Sequence, residues 1–251
     1  ASKKIYTEHC TENNRRSVFF AKKIESYIYK RYNSVTCITP EVQASLLRFL
    51  SWPDKGNTLV VYNGINTKKF VNLISYPKNN SIYDIGMVGS FTDYKDQETI
   101  IRAMKYLCKN VCLHLAGDGK RKNFLYHTAL ECGVDKQVIF HGIVNDIPRF
   151  LTKLDLYIQS SKVEGFGLAP IEAMAANVPT LVSNVPGLRE LSQSNINIFN
   201  QGLPKELAKK ILMVKLNNNY RQELLSLGKK TVSKYSVEST MNHFYDIYWS
   251  I

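Results

Sequence analysis

From residue 81 onward the chain switches repeatedly between two periods. Short apolar runs of strand length alternate with longer stretches whose apolar residues recur at helical spacing. Tyr83 to Gly89, Val111 to Ala116, Gln137 to Phe140, Leu154 to Ile158, Pro179 to Ser183 and Ile196 to Phe199 read as strands. Between them, Gln97 to Leu107 reads as a helix with Asp96 as its N-cap, and Lys120 to Cys132 as a helix stopped by Gly133. Asp146 to Lys153 is a short helix with Pro148 in its first turn. Another opens at Ala169, Leu188 to Ser192 is a short one, and helices from Pro204 to about Tyr235 close the region. Such alternation of strand and helix implies a parallel sheet covered on both faces by helices. The expected fold class is therefore α/β with a Rossmann-like parallel sheet.

Residues 1–72 carry less. Lys4 to His9, Ser34 to Thr39 and Thr58 to Tyr62 read as strands, and Ser17 to Arg31 and Glu41 to Leu50 as helices. That is too little for an independent α/β domain, although 251 residues leave room for one large domain or two small ones. Residues 73–81, with Pro77, Asn79 and Asn80, read as a linker, and residues 82–235 as the main domain. In residues 236–251, Met241, Phe244, Tyr245 and Tyr248 recur at helical spacing.

Hydrophobic residues make up 44% and charged residues 22%, ordinary values for a soluble globular protein. No apolar run approaches the ~20 residues that span a bilayer. The chain begins with Ala1 and shows no signal-peptide pattern. Cys10, Cys37, Cys108, Cys112 and Cys132 are odd in number and include no Cys-x-x-Cys pair, which points to unpaired thiols in a cytoplasmic setting. A net charge of +12 calls for an anionic partner. Lys3, Lys4, Arg15, Arg16, Lys22, Lys23, Lys30, Arg31 and Arg48 crowd the first fifty residues among Phe19, Phe20, Tyr27 and Tyr29. Two readings stand level: a basic aromatic helix peripheral to the inner face of an anionic membrane, or a solvated face with its aromatics turned into a core. No nucleic-acid recognition motif accompanies the charge, so nucleic acid is not expected as a partner.

The densest segment is Glu164-Gly-Phe-Gly-Leu-Ala-Pro-Ile-Glu172, followed by the helix formers Ala173 to Ala176. Strand, glycine-rich turn and helix N-terminus present free N–H groups of Phe166, Gly167 and Leu168, and the positive end of a dipole, to an anion. Carboxylates beside such a cradle are poor phosphate ligands but good acceptors for hydroxyl protons. A ligand with both phosphate and hydroxyls, a nucleotide sugar, suits the pair. Lys95, after the strand ending at Gly89 and just before a helix, is the best-placed cation. His114 sits in an apolar strand and reads as a packed core histidine, while His127 and His141 have no partner at metal spacing. No Asp-x-Asp motif occurs, so no catalytic metal is expected.

The segment resembles the Glu–seven residues–Glu signature of retaining glycosyltransferases of family 4, which have the GT-B fold. Val61 to Ile65, Leu115 to Gly119, Val138 to Gly142, Met174 to Asn184 and Pro186 to Glu190 follow the family's order. The resemblance implies a partial acceptor-binding domain in residues 1–72, a donor-binding domain in 82–235, and a terminal helix returning to the first part. It implies transfer of a sugar from a UDP- or GDP-sugar to a hydroxyl of a glycan or lipid-linked acceptor. Anomeric configuration would be retained, with front-face attack and no cofactor beyond the donor. Glu164 would hold donor-sugar hydroxyls and Glu172 the ribose. Gly165, Phe166, Gly167 and Leu168 would cradle the diphosphate, with Gly117 nearby and the base against Ile143. His9 would position the acceptor or the donor. The family's basic residue five positions before Lys95 is replaced by Ser90, with Lys120 and Arg121 as candidate substitutes. A nucleotide-sugar-binding module, inactive for want of a full acceptor domain, is the competing expectation. A third is another GT-B enzyme, an epimerase or phosphorylase.

Overall fold

A computed structural model of the chain describes residues 3–9, 20–51, 57–71, 73, 81–192 and 195–250. Two compact units emerge, residues 1–65 with 235–251, and residues 66–234. Most of the expected linker, and the basic pair Arg15 and Arg16, lie outside the described residues.

In the first unit, β1 (Ile5–Glu8), β2 (Ser34–Cys37) and β3 (Thr58–Val60) form a parallel sheet in that order. All of β2 is buried, as a central parallel strand should be. Helix α2 (Pro40–Leu50) starts one residue before the expected Glu41. The Thr39 hydroxyl accepts from the Val42 N–H at 3.2 Å, Pro40 occupies the first turn, and Ser51 ends the helix in the left-handed region. The C-terminal helix α10 (Val237–Ser250) belongs to this unit: Ile65 N–H donates to Tyr235 O at 3.0 Å and Val237 N–H to Ile65 O at 2.9 Å.

Two apolar stripes of this unit are not where a core would put them. On α1 (Ala21–Tyr29), Tyr29 is buried, but Tyr27, Ile24, Ile28 and the preceding Phe20 are exposed. On α10, Met241, Tyr245 and Tyr248 are exposed with Trp249, Phe244 is half-buried, and the buried residue is Ile247. Spacing alone finds a helix and its apolar stripe; it does not say what covers the stripe.

The second unit holds a six-stranded, all-parallel sheet in the order β6-β5-β4-β7-β8-β9. The strands are β4 (Tyr83–Val88), β5 (Val111–Ala116), β6 (Val138–Gly142), β7 (Leu156–Gln159), β8 (Thr180–Ser183) and β9 (Ile198–Phe199). One face packs Ile85, Met87, Leu113, Leu115, Leu156 and Ile158 beneath α3 (Gln97–Met104), α4 (Lys122–Glu131) and α8 (Pro204–Leu216). The other packs Ala116 and Tyr157 against Phe150 and Leu151 of α5 (Ile147–Leu151) and Ala173 of α6 (Leu168–Ala175). Alternate residues of each strand thus serve opposite cores. The chain order reverses between β4 and β7. In an open α/β sheet that is the place where a crevice opens beyond the carboxyl ends of the strands.

Candidate functional site

Two loops meet at that reversal. The loop after β4 carries Ser90 and Lys95; the loop after β7 carries Ser160 to Glu164. They are sewn together. The Ser160 hydroxyl donates to the carbonyls of Asp96 (2.8 Å) and Lys95 (3.1 Å), and the Lys162 N–H donates to Tyr94 O at 2.7 Å. The Lys162 ammonium lies 3.7 Å from the buried Asp96 carboxylate, whose other oxygen accepts from the Thr99 hydroxyl at 2.7 Å. Asp96 begins α3 with a left-handed backbone and no side-chain cap to a backbone N–H: its carboxylate takes the Thr99 hydroxyl instead of the expected capping bond. Burial holds its carboxyl above the usual range.

This stitching sets Lys95 against Glu164, ammonium to Oε2 at 2.6 Å. The same oxygen accepts from the Ser161 hydroxyl at 3.0 Å and Gln159 Nε2 at 3.4 Å. Behind Gln159, the Tyr157 hydroxyl donates to Gln159 Oε1 at 2.6 Å. Tyr157, Gln159 and Ser161 are fully buried. Burial pushes the Tyr157 phenol up, its backbone hydrogen bond at Val88 opposes the rise, and the charges of Glu164 and Glu172 add to it. Among the described residues, Oε1 of Glu164 has no partner and stays available to a ligand.

Gly167 caps α6 in the left-handed region, Phe166 is buried beneath the turn, and Leu168 is exposed at the first helical position. Pro170 sits in the first turn, so the free donors there are few and fixed. Glu172 lies one turn in, half-buried. Burial raises its carboxyl and Lys69 opposes the rise; among the described residues no hydrogen bond reaches it. The following short helix α7 (Pro186–Arg189) leans on the loop so closely that a Cβ on Gly187 would lie 2.2 Å from Glu164 O.

Gly117 is placed by the same kind of constraint. With φ +143° and a would-be Cβ 2.0 Å from Gly89 O, it lets the turn after β5 press on the loop that carries Ser90. Ser90 is exposed, and its carbonyl accepts from Gln97 Nε2 at 3.0 Å. Ile143 is exposed beyond the edge strand β6. His9 is exposed after β1, in the other unit. Arg121 is engaged by Asp93 (3.2 Å) and Glu98 (3.1 Å) and stacks on Phe124, which leaves it little freedom as a substitute cation. Lys120 is exposed.

One expectation is overturned. His114 is not packed in the core. Its Nε2 lies 2.9 Å from Asp84 Oδ1 and its Nδ1 2.9 Å from Nε2 of His141. These contacts cross β4, β5 and β6, a juxtaposition that spacing along one strand cannot reveal. The reading also missed Tyr157, Gln159, Ser160 and Ser161. The available signal was a run of three polar residues directly after the apolar strand.

The profile of the family described as "Glycosyl transferases group 1" matches residues 69–231, well over half of the chain. The chain belongs to this family. Protein CapJ of Staphylococcus aureus is 33% identical over 70% of this chain and 48% of its own length. An Escherichia coli protein named UDP-Gal:alpha-D-GlcNAc-diphosphoundecaprenol alpha-1,3-galactosyltransferase is 26% identical over 74% of this chain and 51% of its own. The chain thus spans about half the length of these curated relatives. Among solved structures, Anabaena HepE in complex with UDP superposes with a TM-score of 0.86 at 18% identity, covering 98% of this chain and 72% of HepE. The fold of this glycosyltransferase family member is GT-B.

Proposed function

We propose that this chain carries the donor half of a retaining glycosyltransferase. It would bind a UDP-sugar, and with a complete acceptor domain transfer the sugar to a hydroxyl of a glycan or lipid-linked acceptor at the membrane's inner face. The observation that carries the reading is the Lys95–Glu164 pair at the sheet's reversal point, beside the open N-terminus of α6. A departing diphosphate gains negative charge as the sugar becomes oxocarbenium-like. Fixed donors and a cation aimed at that charge stabilise the transition state more than the ground state. Without ligand, Lys95 is neutralised by Glu164. An arriving diphosphate competes for the ammonium and leaves the Glu164 carboxylate for sugar hydroxyls. Glu172, desolvated and without a hydrogen-bond partner among the described residues, would be satisfied by ribose hydroxyls. HepE's UDP complex, and a relative whose name specifies UDP-Gal and a diphosphoundecaprenol acceptor, favour UDP and a lipid-linked acceptor. Among the described residues no helix is long and apolar enough to cross a membrane.

Isothermal titration with UDP and GDP, followed by incubation with a panel of UDP-sugars with and without polyprenyl-diphosphate-sugar acceptors, tests this. UDP should bind saturably, Lys95→Ala should weaken binding, and any product should keep the donor's anomeric configuration by NMR. Binding without turnover assigns the chain to the module reading. A folded chain that binds neither nucleotide removes the donor site altogether.

A further inference from the structure

We propose that Asp84, Cys112 and His114 form a zinc-binding site on the α5–α6 side of the six-stranded sheet, with His141 as the outer hydrogen-bond partner of His114. Strands of a parallel sheet are normally apolar on both faces. The first face of β4 and β5 obeys this with Ile85, Met87, Val111, Leu113 and Leu115. The second breaks it where Asp84 pairs with Cys112 across the two strands, followed by His114 two residues on. One ligand atom from each of the three lies within 4.8 Å of the others. Tetrahedral zinc, with bonds of about 2.0–2.3 Å, places its ligand atoms about 3.3–3.7 Å apart, so side-chain shifts of about 1 Å suffice.

The hydrogen bonds already orient the ligand. Metal-bound histidines donate their second ring N–H to an outer acceptor, which fixes tautomer and ring plane. His114 faces Asp84 with Nε2 and His141 with Nδ1, 2.9 Å in each case. With Nε2 on the metal, Nδ1–H donates to His141 Nε2. The Asp84 N–H is itself anchored on Asp155 Oδ2 at 2.8 Å. One carboxylate and one thiolate balance a dication, and a mixed sulfur, nitrogen and oxygen set suits zinc better than magnesium or calcium. Three protein ligands leave the fourth position to water. Asp84 lies five residues before Gly89, about 16 Å back along the strand, so the ion would tie β4 to β5 rather than touch the donor.

Cobalt(II), as a spectroscopic stand-in for zinc, tests the site on the intact chelator-treated chain. The result expected is a thiolate-to-cobalt charge-transfer band saturating at one equivalent and bleached by zinc. Cys112→Ser should abolish it, Asp84→Asn should weaken binding, and His141→Ala should weaken it about 10–100-fold, the usual loss for an outer partner. Cys10→Ser, Cys108→Ser and Cys132→Ser should leave it intact. Zinc should raise the melting temperature of the parent and not of Cys112→Ser. A missing charge-transfer band, a band that survives Cys112→Ser, or loss of the band in any of the other cysteine variants overturns the proposal.

Discussion

Glu164 and Glu172 are eight residues apart and chemically opposite. Glu164 has three donors on one oxygen, one of them a cation 2.6 Å away; Glu172 has burial and an opposing exposed lysine. The first is held in place, the second kept under tension. A buried carboxyl whose pKa is raised binds its proton more tightly in the folded than in the unfolded chain. Stability is therefore fully present below the ordinary carboxylate value and falls as pH rises from there through the raised value. Glu172→Gln removes that loss. Without nucleotide, the variant should be more stable than the parent at neutral pH, and the difference should disappear in acid, as chemical denaturation across pH would record. The same substitution should weaken UDP affinity by about 1–3 kcal/mol, the range for losing a charged hydrogen bond. A pH-independent stability difference would remove the tension; unchanged affinity would remove the ribose role.

At the scale of elements, the site depends on loops pressed together by residues without side chains. Gly187 bears directly on the carboxylate loop, because the atoms that a Cβ would meet are backbone atoms of Glu164 and Gly165. They cannot rotate aside as a side-chain tip would. Gly187→Ala should cost about 1–3 kcal/mol in a urea melt, the usual range for overpacking, and should weaken UDP binding because the carboxylate's own loop must move. Full stability with full affinity would show that α7 only rests there. The strand β7 was legible because burial on both faces leaves Leu156, Tyr157 and Ile158 as an apolar run, and α2 was legible from Glu41 to Leu50, one residue short of its start at Pro40. The helix starts at Lys122 rather than Lys120 because the Gly119 turn, bonded through Arg121 N–H to Phe91 O at 3.1 Å, takes up the first residues. Glu164, Lys95 and the α6 N-terminus were legible as a motif. The Tyr157–Gln159–Ser161 support and the Asp84–His114–His141 line were not, because both consist of contacts across strands that no local pattern encodes. On α1, Phe20 and Tyr27 are exposed and Tyr29 is buried, so the aromatics of the basic segment divide between the two readings.

The chain holds two units, each with its own parallel sheet. The residues proposed for the donor, apart from His9, fall within 66–234, and so do both hydrophobic clusters of the six-stranded sheet. Helix α9 (Asn218–Lys234) closes this unit, with Gly228 set against Met174 of α6, so the packing behind the site is supplied from within the same segment. Folding and nucleotide binding should therefore survive excision. A chain of residues 66–234 alone should unfold in one cooperative transition and bind UDP within about tenfold of the full chain, a difference of at most ~1.4 kcal/mol. Donor turnover should fall much further, since His9 and the rest of the first unit are gone. Calorimetric titration of the excised unit beside the full chain makes the comparison. An excised unit that is folded by its melt yet has lost UDP binding would mean that the cation, the helix terminus and the two carboxylates do not suffice to hold the nucleotide.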